Sequence, residues 1–341
     1  MMWSCLTYDA SDGKGGGADE NFAGTLAEAG GARTGMRAMS STFSGLRVSL
    51  IALPMISLGL ATGGAQPAST TFRPALAEAY AFEYSWSGAA DVERGQTVGE
   101  VSVHHTEGSF SGRLPLGEGT ALSYGAAFSI NQLEADGLLP LPDRLGELTV
   151  NLGVTHRFSQ QWSGSAFVRP GFYSDLKDFS SDTFNVPLIA MANFVQSRDL
   201  VWIFGVGVNG FSDRVVMPIA GVRWKFAPEW TLNVGFPRLG VLWEADKRLS
   251  VFAGASVQGG SYRITENLGV PAAGVSRLAN TYVSYREIRL GAGAKWAVTE
   301  KVSVSVEAGV MTDRRFEYFD RNYTLNGEAA PYAAISLDGR F

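Results

Sequence analysis

The three histidines offer the clearest route to acid–base chemistry near neutral pH. His104 and His105 are adjacent, with Glu107 two residues on, and His156 stands two residues before Phe158. A hydrolytic site needs a base and usually a nucleophile beside it. No His-x-Ser pair occurs, so the barrel-phospholipase pattern is absent. Adjacent histidines on an extended strand point to opposite faces and cannot share one metal ion. Packed or surface histidines are the plainer reading, and His156 reads as an interfacial aromatic. No catalytic, metal-binding or cofactor-binding residue is therefore expected. Gly205-Val-Gly207 lacks the rest of a phosphate loop and no helix pattern follows it. Asp313-Arg-Arg315 and Asp213-Arg214 could meet the anionic head groups of lipopolysaccharide at an outer rim. Against that, polar loop tips are ordinarily just solvated.

The remaining charges are informative by their spacing. Charged residues make up 18% of the chain, fewer than an average soluble domain carries, and the net charge of −5 leaves no basic excess for a nucleic-acid partner. Others fall among the polar positions of alternating segments. Leu148, Val150, Leu152, Val154, His156 and Phe158 are separated by Thr149, Asn151, Gly153, Thr155 and Arg157. Val302, Val304, Val306, Ala308 and Val310 are separated by Ser303, Ser305, Glu307 and Gly309. Successive side chains of a strand face opposite ways, so each segment has one apolar and one polar face.

Many of these segments run well past the usual five or six residues of a globular strand and reach the roughly 9–11 that a tilted membrane strand needs. A turn unit recurs at Phe158-Ser-Gln-Gln-Trp162, Phe226-Ala-Pro-Glu-Trp230 and Val298-Thr-Glu-Lys-Val302. Longer polar connections at 131–146, 175–183, 265–281 and 315–328 alternate with these tight turns. Short turns at one end and long loops at the other are the pattern of an outer-membrane barrel. The expected fold is all-β: an antiparallel, transmembrane, up-and-down β-barrel of about 14 strands. Twelve remain if the hairpin at 230–244 does not span. Pro187 and Pro218 fall inside expected strands, so bulges or strand ends are expected there.

With the apolar face toward lipid, Arg157, Arg169, Arg223, Lys225, Arg289, Lys295 and Arg340 face a lumen, together with Glu83, Glu287, Glu307 and Asp338. That lumen is mixed and slightly basic. Its charges either pair and stiffen the wall or favour anionic solutes.

Upstream, residues 1–35 read as disordered or as a start placed too early, with Met36 or Met39 the natural start. Residues 36–68 read as an export signal. Arg37 and Arg47 precede the apolar run Val48–Ala61, which is too short for a membrane-spanning helix, and cleavage is expected near Ala65 or Ala68. Residues 69–341 form the barrel domain. Cys5 lies upstream, so no disulfide is expected in the mature protein. The last strand alternates through Ile335 and Leu337 to Phe341, which resembles the signal read by the outer-membrane barrel assembly machinery.

The stretches Gly235-Phe-Pro-Arg238, Leu249-Ser-Val-Phe-Ala-Gly-Ala255 with Gly259-Gly-Ser-Tyr262, Tyr285-Arg-Glu-Ile-Arg289, and Glu307-Ala-Gly309 with Asp313-Arg-Arg-Phe-Glu-Tyr318 resemble the domain-of-unknown-function 6268 family of outer-membrane β-barrels. The resemblance covers roughly residues 78–341 and is best after about 230. It implies the barrel and its location in the cell outer membrane, with outer-membrane lipid and lipopolysaccharide as neighbours. It implies no activity and no catalytic residue. Three readings of function follow: a pore or transporter for small solutes, a structural or surface-interaction barrel with a plugged lumen, and, third, a lipid-modifying enzyme that lacks a visible triad.

Overall fold

A computed structural model describes residues 78–341 except 138 and 236. The expected export signal and the segment before it lie outside the described residues. Among those described, no helix is long and apolar enough to cross a membrane. Seventeen extended segments form one antiparallel sheet, and three pairs of segments each continue a single strand across a short interruption.

The result is fourteen wall strands. They are β1 (Ala79–Glu93), β2 (Thr97–Gly117), β3 (Thr120–Ala135), β4 (Arg144–Arg157), β5 (Trp162–Val168 and Gly171–Ser174), β6 (Phe184–Asn185 and Leu188–Val195), β7 (Leu200–Val208), β8 (Val216–Ala227), β9 (Trp230–Gly235), β10 (Arg238–Glu244), β11 (Leu249–Ile264), β12 (Thr281–Ala297), β13 (Val302–Tyr318) and β14 (Tyr323–Gly327 and Ala330–Arg340). Each pairs antiparallel with its sequence neighbours. β14 then pairs with β1, from Ala79 opposite Arg340 to Glu93 opposite Asn326, which closes the barrel.

At the near end, where Ala79 meets Arg340, all the connections are tight turns. In one of them Asp246 accepts hydrogen bonds from the backbone N–H groups of Arg248 and Leu249, and these hold its carboxyl below the usual carboxylate range. An aromatic girdle rings the same end: Trp162 packs on Phe194, and Trp230 stacks on Trp243.

The far end departs from expectation. β13 runs on to Tyr318 and β14 begins at Tyr323, so the long loop expected at 315–328 is mostly strand. The connection expected at 131–146 shrinks in the same way to 136–143. Both pairs of strands gain ladder hydrogen bonds and bury apolar side chains by continuing.

The barrel is not uniform along its axis. In the near half all fourteen strands are present. Further out five of them, β6 to β10, leave the wall. β9 and β10 have six and seven residues, short of a membrane-spanning length. β5 is interrupted at Arg169-Pro170 and β6 at Val186-Pro187. β11 parts from β10 at Val257, whose N–H donates to the Pro237 carbonyl. Two residues on, Gly259 takes φ +132°, and a Cβ there would run into the Tyr285 carbonyl oxygen. Beyond that level β11 meets the far segment of β5 directly: Ser174 pairs in parallel with Arg263, and Asp175 N–H donates to the Arg263 carbonyl. The Asp175 carboxylate fastens the seam, accepting from Thr265 N–H and Oγ1 and from Glu266 N–H.

The far half is thus a narrower barrel of nine strands: β1–β4, the far segment of β5, β11–β13 and the far segment of β14. Eight strands enclose an interior that side chains just fill, and nine is close to that limit. Pro218 does not interrupt β8, contrary to expectation; it sits in register opposite Val206. The reason is local. β9 ends opposite Gly221, so β8 beyond that point has no partner on its other side to need a donor.

Candidate functional site

β12 shows how one strand builds three layers of interior without a break in its alternation. From the far end its inward residues are Val283 and Tyr285, then Glu287 and Arg289, then Gly291, Gly293 and Lys295. Its outward residues change in the opposite sense, from Ser284 and Arg286 to Ile288, Leu290 and Trp296. The near half has its apolar face outward, as Leu148, Val150, Val306 and Ile335 also show by their exposure. The far half has it inward. On β1 and β13 a one-residue bulge accompanies the change, between Ser87 and Ala90 and between Met311 and Asp313.

The outermost layer is an apolar core. Every one of the nine far strands contributes to it: Val92, Val101, Val103, Leu133, Leu145, Tyr173, Tyr262, Ile264, Val283, Tyr285, Phe316, Tyr318, Tyr323 and Leu325 are all buried. Loop residues Leu139, Leu141 and Leu278 cap it, and Phe211 joins it from the β7–β8 hairpin. Outside this core the surface is polar, with Arg286 paired to Asp313 at 2.8 Å and Arg315 to Glu317 at 3.2 Å.

Beneath the core lies an ionic layer. Glu287 is fully buried and accepts from Arg314 Nε at 2.8 Å, Arg289 Nε at 2.9 Å and Nη2 at 2.7 Å, and Ser87 Oγ at 3.0 Å. Arg289 also donates to Ser85 and Ser87 and lies over the Tyr332 ring. Arg314 donates to the carbonyls of Gly88 and Val101. Across the interior, Arg169 pairs with Glu147 at 2.7 Å and donates to Asn151. Next to it His105 bonds Asn131, which donates to the Tyr262 hydroxyl. Each buried charge here is paired with an opposite one, as an unpaired one costs several kcal/mol.

The third layer is a chamber in the near half. It is a narrow polar pocket lined by Glu83, Arg238, Leu242, Ser250, Phe252, Lys295, Ser305, Glu307, Ala334 and Ser336. Glu307 accepts from Tyr332 at 2.7 Å and Arg238 at 3.5 Å, and Lys295 pairs with Asp338 at 2.7 Å. Gly293 is cut away for the Phe252 ring, whose edge would lie 2.5 Å from a Cβ there. The lining therefore mixes cations, carboxylates, hydroxyls and one aromatic face.

The residues singled out by sequence do not form one cluster. Glu287 and Arg289 belong to the ionic layer, Lys295 and Glu307 to the chamber, and Arg169 to the Glu147 pair. Lys225 lies 3.6 Å from Glu244 on the shorter-strand side, and Arg223 is opposite Asn233. Arg157 is at the near rim, donating to the Ser159 carbonyl, and Arg340 is exposed opposite Ala79. His104 is on the outer face bonded to Tyr84, and His156 is packed edge-on to Phe158. Ile335 and Leu337 point outward, and Phe341 packs on Tyr80.

One reading needs correction. Asp313-Arg-Arg315 is not an outer-rim loop tip but part of β13, and Arg314 is turned inward and fully buried. Its spacing with Phe316 and Tyr318, which share its face, was the signal available. Arg238, Glu147 and Ser87 were also missed. Among the described residues no group of three or more His, Cys, Asp or Glu could hold a metal ion.

A search of curated proteins finds no match. Among solved structures, the chain is similar to the deltaS2S3 mutant of the TodX monoaromatic hydrocarbon channel (TM-score 0.45, 10% identity, 78% of this chain and 91% of that one). It is similar to the COG4313 outer membrane channel from Pseudomonas putida F1 (0.44, 10%, 81% and 100%) and to the Ralstonia pickettii toluene transporter TbuX (0.37, 8%, 78% and 90%). Likeness at this level says nothing about a solute. Sequence is more decisive, since the family described as a domain of unknown function (DUF6268) matches residues 122–326. With well over half its length matched, and its barrel closed as described, the chain belongs to the DUF6268 family.

Proposed function

We propose that the protein is an outer-membrane transport barrel that holds small solutes in its near half. The observation that carries this reading is the polar pocket lined by charges of both signs, set in a fourteen-strand wall beneath an apolar nine-strand cap. The apolar outward face of the near half matches a bilayer: on β12 it runs from Ile288 to Trp296, about the length a tilted strand needs to cross. The tight-turn end then faces the periplasm and the polar-sided cap stands among lipopolysaccharide head groups. Arg238, Lys295, Glu83 and Glu307 would contact the solute, and Phe252 would offer it a flat apolar face.

A filled cap is also what a structural or surface-interaction barrel would have, and that is the second reading. Vesicles carrying the purified barrel separate the two. Swelling in a panel of small sugars, amino acids and carboxylates should be faster than in protein-free vesicles for at least one class, and slower again with Phe252→Trp, which fills the chamber. Swelling no faster than in bare vesicles for every class would remove the transport reading. Because the core closes the axis, planar bilayers should show no large steady conductance steps.

A further inference from the structure

The outer face of the cap is not evenly charged where it leaves the lipid belt. On β12 the last outward apolar residue of the belt is Ile288, and the next outward residue is Arg286. On β13 the outward apolar run ends at Val310, and Asp313, Arg315 and Glu317 follow. Arg286 and Arg315 stand directly opposite each other in the ladder, and the exposed Asn326 of β14 is opposite Arg315 on its other side. One row thus sets two guanidinium groups and an amide side by side on the outer wall. Elsewhere on the cap the outward pair is acidic, with Asp91 of β1 opposite Glu100 of β2.

Like charges directly opposite in a sheet repel each other. The neighbouring carboxylates relieve this only in part. Arg286 Nη2 reaches Asp313 at 2.8 Å and Arg315 Nη2 reaches Glu317 at 3.2 Å, but both carboxylates are part-exposed and such pairs are weak. Arg315 Nε has no acceptor. A guanidinium carries five donors, and a phosphate accepts two of them in parallel. A phosphate over this row would serve both arginines at once. Height selects the source of that group. Two residues beyond Ile288 rise roughly 5 Å along the membrane normal on a tilted strand. Headgroups occupy about the first 5–7 Å outside the hydrocarbon. With the tight turns in the periplasm this is the outer leaflet, whose phosphates belong to lipopolysaccharide.

We propose that Arg286 and Arg315, with Asn326 beside them, form a binding site for a lipopolysaccharide phosphate on the outer wall of the cap. The Asp91–Glu100 pair repels the same group, so the lipid is held on one side of the barrel. The site rests on the outer-membrane orientation given above and is independent of what the interior carries.

The test titrates the purified barrel, in neutral detergent, with lipopolysaccharide lacking its O-antigen, and counts bound lipid by native mass spectrometry. Arg286→Gln together with Arg315→Gln should weaken binding about tenfold or more, as loss of charge-assisted hydrogen bonds does. Arg144→Gln, at another exposed arginine of the wall, should leave it unchanged. Lipopolysaccharide stripped of phosphate by hydrofluoric acid should bind wild type no better than the intact lipid binds the double variant. Equal binding by the double variant, or by the stripped lipid, would overturn the site. So would phosphatidylglycerol binding as tightly as lipopolysaccharide, since the surface would then serve any anionic lipid. Should the double variant fail to fold, Arg315→Lys keeps the charge and loses the paired donors. It should still weaken binding severalfold, and unchanged binding there would also overturn the site. Vesicle swelling should be the same for the double variant and wild type, so the fate of this site and that of the transport reading are read separately.

Discussion

The near and far halves of this barrel are made from the same strands and obey opposite rules. In the near half Val304, Val306 and Val310 of β13 face outward, with Ser305 and Glu307 inside. In the far half Phe316 and Tyr318 of that strand are inside and Arg315 and Glu317 outside. Solvent accounts for the inversion. A strand presents its apolar face to whatever is least like water, which is lipid around the near half and other side chains within the far half. Nine strands enclose little enough space for side chains to fill it, and fourteen do not. The ionic layer lies at the junction, where neither lipid nor apolar core surrounds the inward face.

The comparison breaks most sharply at that junction. Glu287→Ala leaves Arg289 and Arg314 buried without their carboxylate and should cost about 3–5 kcal/mol. Urea unfolding of the barrel in vesicles measures this. A stability equal to wild type would mean that the two halves are not locked through this layer.

Next is the boundary between lipid and water. Val306→Arg should cost about 2–4 kcal/mol at the bilayer midplane, whereas Ser305→Arg points to the polar inner face and should cost less. Single cysteines extend the comparison along β13. Val306→Cys should be quenched by lipid-borne probes and resist an aqueous thiol reagent, and Glu317→Cys should behave the opposite way. Lipid quenching at both positions would place the far half inside the bilayer and end the two-half description.

A smaller effect tests the step itself. Gly259→Ala puts a Cβ into the Tyr285 carbonyl in a backbone region that side chains disfavour, and the strain should cost about 1–3 kcal/mol. Because Gly259 turns β11 toward β5, protease nicking in the 265–280 loop should rise with it. Unchanged stability and protease resistance would show that β11 reaches β5 without this turn. The smallest effect is expected on the outer surface of the cap. Arg286→Ala removes an ion pair with the part-exposed Asp313 and should change stability by about 0.2–1 kcal/mol. A loss as large as that of Glu287→Ala would mean that this surface is buried against something.

Period-two alternation, tight turns at one end and strand length were enough to read from sequence an antiparallel barrel of about fourteen strands, with twelve as the alternative, because each is a local property. The apolar outward face of the near half was legible for the same reason: Leu148 to Val154 and Val304 to Val310 show their alternation without knowledge of any partner. Alternation has no sign, however. It says that Arg314, Phe316 and Tyr318 share a face, not whether that face meets lipid, water or a core. The direction was decided by the parallel contact between Ser174 and Arg263, residues far apart in sequence, which narrows the barrel until side chains from nine strands can touch. The joining of Glu287 to Ser87 and of Arg314 to the Val101 carbonyl was likewise decided only by closure of the wall. Hydrogen bonds between strands that distant depend on where each strand stops, and it was the stopping points of β9 and β10, more than their composition, that shaped the interior.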